Sequence, residues 1–178
     1  MSGPWSTAGA PAAAAATDSG RPHVFVIADL VGFTMLTERH GDEYAADIAQ
    51  AFCAQVGRLL PPGAEDFKML GDACLLRFDD AGQAVTFARR LVRELADPRS
   101  VSIGMHRGPA VQRGSDWFGA AVNVTARVAA LAAPGEILVT GAIPAALAPA
   151  GDVAFADRGV TPLQGVSTPP RLYAVSSP

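Results

Sequence analysis

The apolar and polar positions along this chain switch repeatedly between the period of a strand and that of a helix. Val24, Phe25, Val26 and Ile27 form an unbroken apolar run within residues 23–28, the pattern of a strand covered on both faces. Asp29 leaves that run, and Leu30-Val31-Gly32-Phe33-Thr34 opens a short helical pattern through Arg39. Beyond Gly41 and Asp42, Tyr44, Ile48, Phe52, Val56 and Leu59 recur at helical spacing and predict a core-facing stripe, which Pro61-Pro62-Gly63 ends. Two short apolar runs, Phe67 to Leu70 and Ala73 to Phe78, flank Gly71-Asp72 and predict a β-hairpin. Residues 81–96 predict a second amphipathic helix, with Ala84, Phe87, Leu91 and Leu95 inward. Residues 101–106 predict a strand alternating Val101, Ile103 and Met105 against Ser102, Gly104 and His106.

The remainder reads as a loop or hairpin over 108–115, a third helix over 120–131, a strand over 137–140 and a short helix over 142–147. An all-β end follows, with strands over 153–155 and 171–175 around a Leu163-Gln164-Gly165-Val166 turn. This order predicts an α+β domain, a ferredoxin-like or palm-type mixed sheet with its helices on one face. Residues 1–22, rich in Gly, Pro, Ala, Ser and Thr, predict a disordered tail, and residues 23–178 a single domain large enough to fold without staples.

Composition then narrows the classes. Apolar residues make up 49% and charged ones 17%, a globular balance. A net charge of −3 with no basic stripe excludes nucleic acid as a partner. Arg89, Arg90 and Arg93 share a helix with Glu94 and read as a solvated face. Cys53 and Cys74 fall inside a helical and a strand pattern, as small buried hydrophobes do, and a reducing compartment is expected. No apolar run approaches the roughly 20 residues of a membrane span, and the alanine run at 12–16 lacks a basic region before it. A cytoplasmic protein with no membrane partner is expected.

Chemistry concentrates in few polar residues. Lys68 is the only lysine, and all thirteen other obligate cations are arginine. It stands four residues before Asp72, at the hairpin tip, where an aspartate commonly serves only its own turn. Asp29 leaves a buried strand just before a glycine and a helix start; such a carboxylate can hold a hard cation while helix-start amides hold phosphate oxygens. Asn123, the only asparagine, and Arg127 lie four apart on one helix face, where an amide and a guanidinium can grip one ligand. Asp116 precedes that helix. His23, His40 and His106 have no second ligand at metal spacing and read as hydrogen-bonded structural residues. No Ser or Cys sits in a nucleophile context with a base. Two carboxylates, a phosphate-binding helix start and an arginine are the parts of a two-metal phosphoryl-transfer site.

Three segments in order, Ala28 to Thr34, Lys68 to Asp72, and Asp116 to Arg127, resemble the signatures of class III adenylyl and guanylyl cyclase catalytic domains. The resemblance runs over residues 23–175 and takes in Pro134-Gly135-Glu136-Ile137-Leu138-Val139 and the Leu163-Gln164-Gly165-Val166 turn. The alanine-rich, lysine-poor composition is similar to that of soluble actinobacterial, particularly mycobacterial, members. The resemblance implies the class III nucleotidyl cyclase fold and a lyase that converts ATP to cyclic AMP and pyrophosphate, a signalling reaction. Asp29, Asp72 and the Leu30 carbonyl would bind two Mg²⁺ or Mn²⁺ ions per site, and the amides of Gly32, Phe33 and Thr34 the β- and γ-phosphates. Asn123 would orient the ribose and Arg127 would stabilise the α-phosphate. Lys68 and Asp116 would read adenine N1 and N6, whereas guanine reverses both polarities.

The resemblance further implies sites shared across a homodimer, each subunit giving the metal aspartates to one site and the base-reading pair with Asn123 and Arg127 to the other. Gln164 stands where many relatives carry a lysine, so either weaker substrate binding or reliance on Arg113 or Arg171 for the triphosphate charge is expected. The short segment between His106 and Asp116 is expected to reduce the dimerisation arm. The alternative expectation is a weak or inactive cyclase-homology domain acting as a nucleotide-binding or dimerisation module.

Overall fold

The computed structural model describes residues 20–62, 64, 67–97, 100–147 and 153–176. Most of the expected tail, and Trp5 with it, lies outside them.

The framework is a seven-stranded sheet in the order β2-β3-β1-β4-β7-β9-β8. Its strands are β1 (Pro22–Leu30), β2 (Phe67–Leu70), β3 (Ala73–Phe78), β4 (Val101–Pro109), β7 (Ile137–Thr140), β8 (Phe155–Val160) and β9 (Arg171–Val175). All neighbours are antiparallel except β4 and β7, which makes the sheet mixed as expected. A separate two-stranded hairpin, β5 (Val111–Arg113) with β6 (Asp116–Phe118), stands off this sheet. Four helices complete the fold: α1 (Phe33–His40), α2 (Asp42–Leu59), α3 (Ala81–Glu94) and α4 (Ala120–Leu131).

β1 is an interior strand, between β3 and β4. Val24 to Ala28 are buried, because α2 and α3 cover one face and α4 the other. Val24, Val26 and Ala28 pack with Phe52, Val56, Phe87 and Leu91 of α2 and α3. Phe25 and Ile27 point the opposite way, toward Leu75, Trp117, Ala121 and Ala129. The helices therefore flank both faces, a correction to the one-faced arrangement expected. What permits it is Gly104 on β4, where a Cβ would lie 2.1 Å from the backbone nitrogen of Ala129. Only glycine lets α4 rest its backbone on the strand at that crossing.

The helical stripes follow the expected period with one change of phase. On α2 the buried positions are Ala45, Ala49, Phe52, Cys53, Val56 and Leu59, while Tyr44 is exposed and stacks on His40. Asp80 caps α3 by accepting from the Gln83 amide at 2.8 Å, a contact that typically contributes about 1 kcal/mol. Arg90 pairs with Glu94 one turn on, a solvated pair as expected. The Sγ atoms of Cys53 and Cys74 lie 2.8 Å apart, buried between α2 and β3 as free thiols. Burial and this neighbour push the Cys74 thiol far above the usual range.

Two smaller elements differ from expectation. The short helix over 142–147 is a single 3₁₀ turn, Pro144–Ala146. The strand expected over 153–155 is instead β8, Phe155–Val160, an exposed edge with an irregular register between Asp157 and Gly159. No helix among the described residues is long and apolar enough to cross a membrane.

Candidate active site

Every sequence-derived candidate side chain on the sheet lies on its α4 side or at its loops. Along β1, Phe25 and Ile27 face α4, so by strand alternation Asp29 does too. On β2, Lys68 is in register with Leu75, which belongs to the same α4-side cluster.

Asp29 and Asp72 come together at one end of β1. Asp29 is paired in register with Ala73, and the Leu30 amide donates to the Asp72 carbonyl at 3.4 Å. Partial burial and the negative charge of Asp72 push the Asp29 carboxyl above the usual range, opposed by a hydrogen bond from the Leu30 backbone. Among the described residues neither carboxylate has a lysine or arginine partner, and no group of three or more His, Cys, Asp or Glu side chains forms a metal cluster. Two mutually repelling carboxylates beside a backbone carbonyl fit a hard divalent cation that completes its shell with water or substrate phosphate oxygens.

Immediately after β1, Gly32 adopts φ 77° and caps α1. A side chain would be strained there, and the left-handed turn brings the chain around so that the first amides of α1 lack helical partners. Thr37 Oγ1 donates to the Phe33 carbonyl at 3.0 Å, one turn into the helix. A cavity of about 420 Å³ opens beside it, lined by Leu30, Val31, Gly32, Phe33, Arg39 and Ser100 among others.

The second group sits elsewhere. Lys68 Nζ donates to Asp116 Oδ1, joining residues 48 apart in sequence across the gap between β2 and the β5–β6 hairpin. Asn123 and Arg127 both project from the exposed face of α4 into a cavity of about 220 Å³, walled on its far side by Gln164, Gly165, Val166 and Ser167. The buried face of the same helix carries Ala121, Val124, Thr125, Val128 and Ala129. The cavity beside the α1 loop and the one lined by Asn123 and Arg127 have no residue in common, and neither is lined by Asp29, Asp72, Lys68 or Asp116.

Sequence reasoning located Gln164 but not Ser167, which the turn brings to the same wall; its only signal was a place three residues after Gln164. Of the two arginines expected to compensate for Gln164, Arg171 is engaged with Asp157 at 3.0 Å, and Arg113 donates to the Gln112 carbonyl at 3.2 Å. Two histidines are hydrogen-bonded as expected, whereas His40 is exposed, stacks on Tyr44 and lines the cavity beside α1. His106 Nδ1 lies 2.7 Å from Thr140 Oγ1, and burial pushes its pKa down. His23, fully buried, has Nδ1 2.9 Å from Asp79 Oδ1.

Comparison with known proteins bears on this arrangement. The sequence pattern of the Adenylate and Guanylate cyclase catalytic domain matches residues 22–177. The pH-sensitive adenylate cyclase of Mycobacterium tuberculosis is 34% identical over 94% of this chain and 44% of that protein. The adenylate cyclase of Streptomyces griseus is 36% identical over 68% of this chain and 31% of that protein. The chain thus spans less than half the length of these relatives. Among solved structures, the adenylyl cyclase CyaB of P. aeruginosa superposes with a TM-score of 0.78 at 19% identity, covering 89% of this chain and 95% of that one. The guanylyl cyclase Cya2 superposes with a TM-score of 0.75 at 23% identity over 90% of this chain and 94% of that one.

Proposed function

The chain belongs to the family of adenylate and guanylate cyclase catalytic domains, and from that premise we propose that it is an adenylyl cyclase, making 3′,5′-cyclic AMP and pyrophosphate from ATP at sites shared by two copies of itself. The observation that carries the choice of ATP is the contact between Lys68 and Asp116. A cationic donor and an anionic acceptor, held side by side on the surface, match the N1 acceptor and N6 donor of adenine. They meet guanine's N1–H and O6 with both polarities wrong. An exposed ion pair of this kind contributes little to stability, so a ligand can take over its hydrogen bonds at small cost.

The division of the site supports the dimer. Asn123 and Arg127 line a cavity that excludes Asp29, Asp72 and the α1 loop. A two-fold partner supplying the missing half would complete two equivalent sites. The exposed apolar residues Met69, Leu70 and Phe118, around Lys68 and Asp116, suit such a contact.

Within the completed site each residue has one task. The amides of Gly32, Phe33 and Thr34 hold the β- and γ-phosphates at the positive end of α1. Asn123 hydrogen-bonds the ribose and aims its 3′-hydroxyl at the α-phosphorus, and Arg127 lies against the α-phosphate oxygens where charge grows as the P–O bond to pyrophosphate breaks. Asp29, Asp72 and the Leu30 carbonyl would hold two Mg²⁺ or Mn²⁺ ions, which when bound supply charge neutralisation and a more acidic 3′-hydroxyl. Gln164 brings a neutral amide to the Asn123–Arg127 cavity. The location proposed is the cytoplasm and the role signalling.

Purified protein with Mn²⁺ and ATP should yield cyclic AMP, with GTP poorer by roughly 10²- to 10⁴-fold, as in other sites that read polar groups. Absence of product at micromolar enzyme would refute this reading and leave a nucleotide-binding or dimerisation module.

A further inference from the structure

Among the described residues, the strands of the β5–β6 hairpin that carries Asp116 pair only with each other and with no strand of the main sheet. Beyond its covalent ends, which leave β4 through the buried Ala110 and enter α4 through Gly119, side chains set its orientation toward the main sheet, and the exposed Lys68–Asp116 pair is too well solvated to fix it. The buried anchor is Trp117, one residue on, which is 9% exposed. The Trp117 ring lies 5.8 Å from Phe25 and 4.9 Å from His23. Its Nε1 has no hydrogen-bond partner among the described residues. The indole is thus held through its ring rather than through its N–H.

One polar group completes that hold. Arg77, in register with Phe25 and on the α4 side of β3, lays its guanidinium 5.3 Å from the Trp117 ring centre. The guanidinium is itself constrained: Nη1 donates to Asp79 Oδ1 at 2.6 Å and lies 2.9 Å from His23 Nδ1. A planar cation with several donors can cover an indole and engage a carboxylate and an imidazole together, which an ammonium cannot.

We propose that Arg77 is a positioning residue for base recognition, acting through Trp117 to hold Asp116 in reach of the base. The inference rests on the adenine-reading role proposed above for Asp116. Asp79 and His23 hold the guanidinium in place.

The test uses a single-tryptophan chain (Trp5→Phe) with Arg77→Leu or Arg77→Lys, read by acrylamide quenching of Trp117 and by KM and kcat on ATP and GTP. Arg77→Leu should expose Trp117 to quencher and raise KM for ATP by roughly 2- to 30-fold, the span of a cation–π contact, with KM for GTP and both kcat values changed less than about twofold. Arg77→Lys, which keeps the charge and is the variant to rely on if leucine prevents folding, should recover part of the loss. Unchanged quenching, an equal loss on both nucleotides, or full recovery by lysine would overturn the proposal. If the wild-type chain makes no cyclic nucleotide, the cyclase reading fails, and ATP and GTP binding followed by Trp117 emission still tests the role of Arg77.

Discussion

Gly104→Ala is the sharpest perturbation of the link between fold and site. The added methyl would sit 2.1 Å from the Ala129 nitrogen, 2.4 Å from its Cα and 2.7 Å from its Cβ. Two of those atoms are helix backbone and cannot rotate aside. Ordinary contact begins near 3.4 Å, so α4 would have to withdraw by roughly 1.3 Å or β4 would have to bend. Overpacking of this kind costs about 1 to 3 kcal/mol, which in a domain this size lowers Tm by roughly 2 to 12 °C. The functional loss should exceed what lost folding explains, because Asn123 and Arg127 ride on α4 and an error of about 1 Å in a reacting group can cost about 10²-fold in rate. The assay is Tm by calorimetry beside cyclase kcat measured well below the transition. A Tm within about 1 °C of wild type together with unaltered kcat would refute the claim that backbone contact at Gly104 sets the position of α4.

Three further outcomes are expected. Lys68→Glu combined with Asp116→Cys should move preference from ATP toward GTP, and unchanged selectivity in the ratio of kcat/KM values would contradict the base-reading roles. Mixing Asp72→Ala protein with Asn123→Ala protein should restore activity, since each mixed dimer keeps one intact site; no recovery in demonstrated mixed dimers would argue against sharing. Burial holds His106 below the ordinary histidine pKa of about 6.5, so below that pH the unfolded chain binds the extra proton first and stability falls as pH drops toward the folded value. Urea midpoints should therefore decline from pH 7.5 to 5.5 in wild type and less so in His106→Gln, and equal declines would remove His106 as the cause.

Much of this architecture could be read from local pattern. The apolar run of β1, the hairpin around Gly71-Asp72 and the period of α3 and α4 each reflect burial that strands and helices impose on their own residues. What escaped was what depends on partners distant in the chain. Helical spacing shows that α4 has a buried face, but only its contacts with Phe25, Ile27 and Gly104 show which side of the sheet it covers. The phase of α2 slipped because two alanines, Ala45 and Ala49, carry its buried stripe, and their small side chains give a weaker signal than Tyr44. β8 hid because an exposed edge strand reading Phe-Ala-Asp-Arg-Gly-Val has little apolar alternation. At the site, the residue types and spacings were legible, while the contact from Lys68 to Asp116 and the wall formed by Gln164 and Ser167 required the fold.

The central claim, ATP cyclisation at sites completed by a second copy, is tested most directly by cyclic AMP formation across protein concentration, with sedimentation of the same samples. Activity per subunit should rise with concentration and track the dimer fraction, and material shown to be monomeric should be nearly inactive. Full activity per subunit in a monomeric sample would contradict the account.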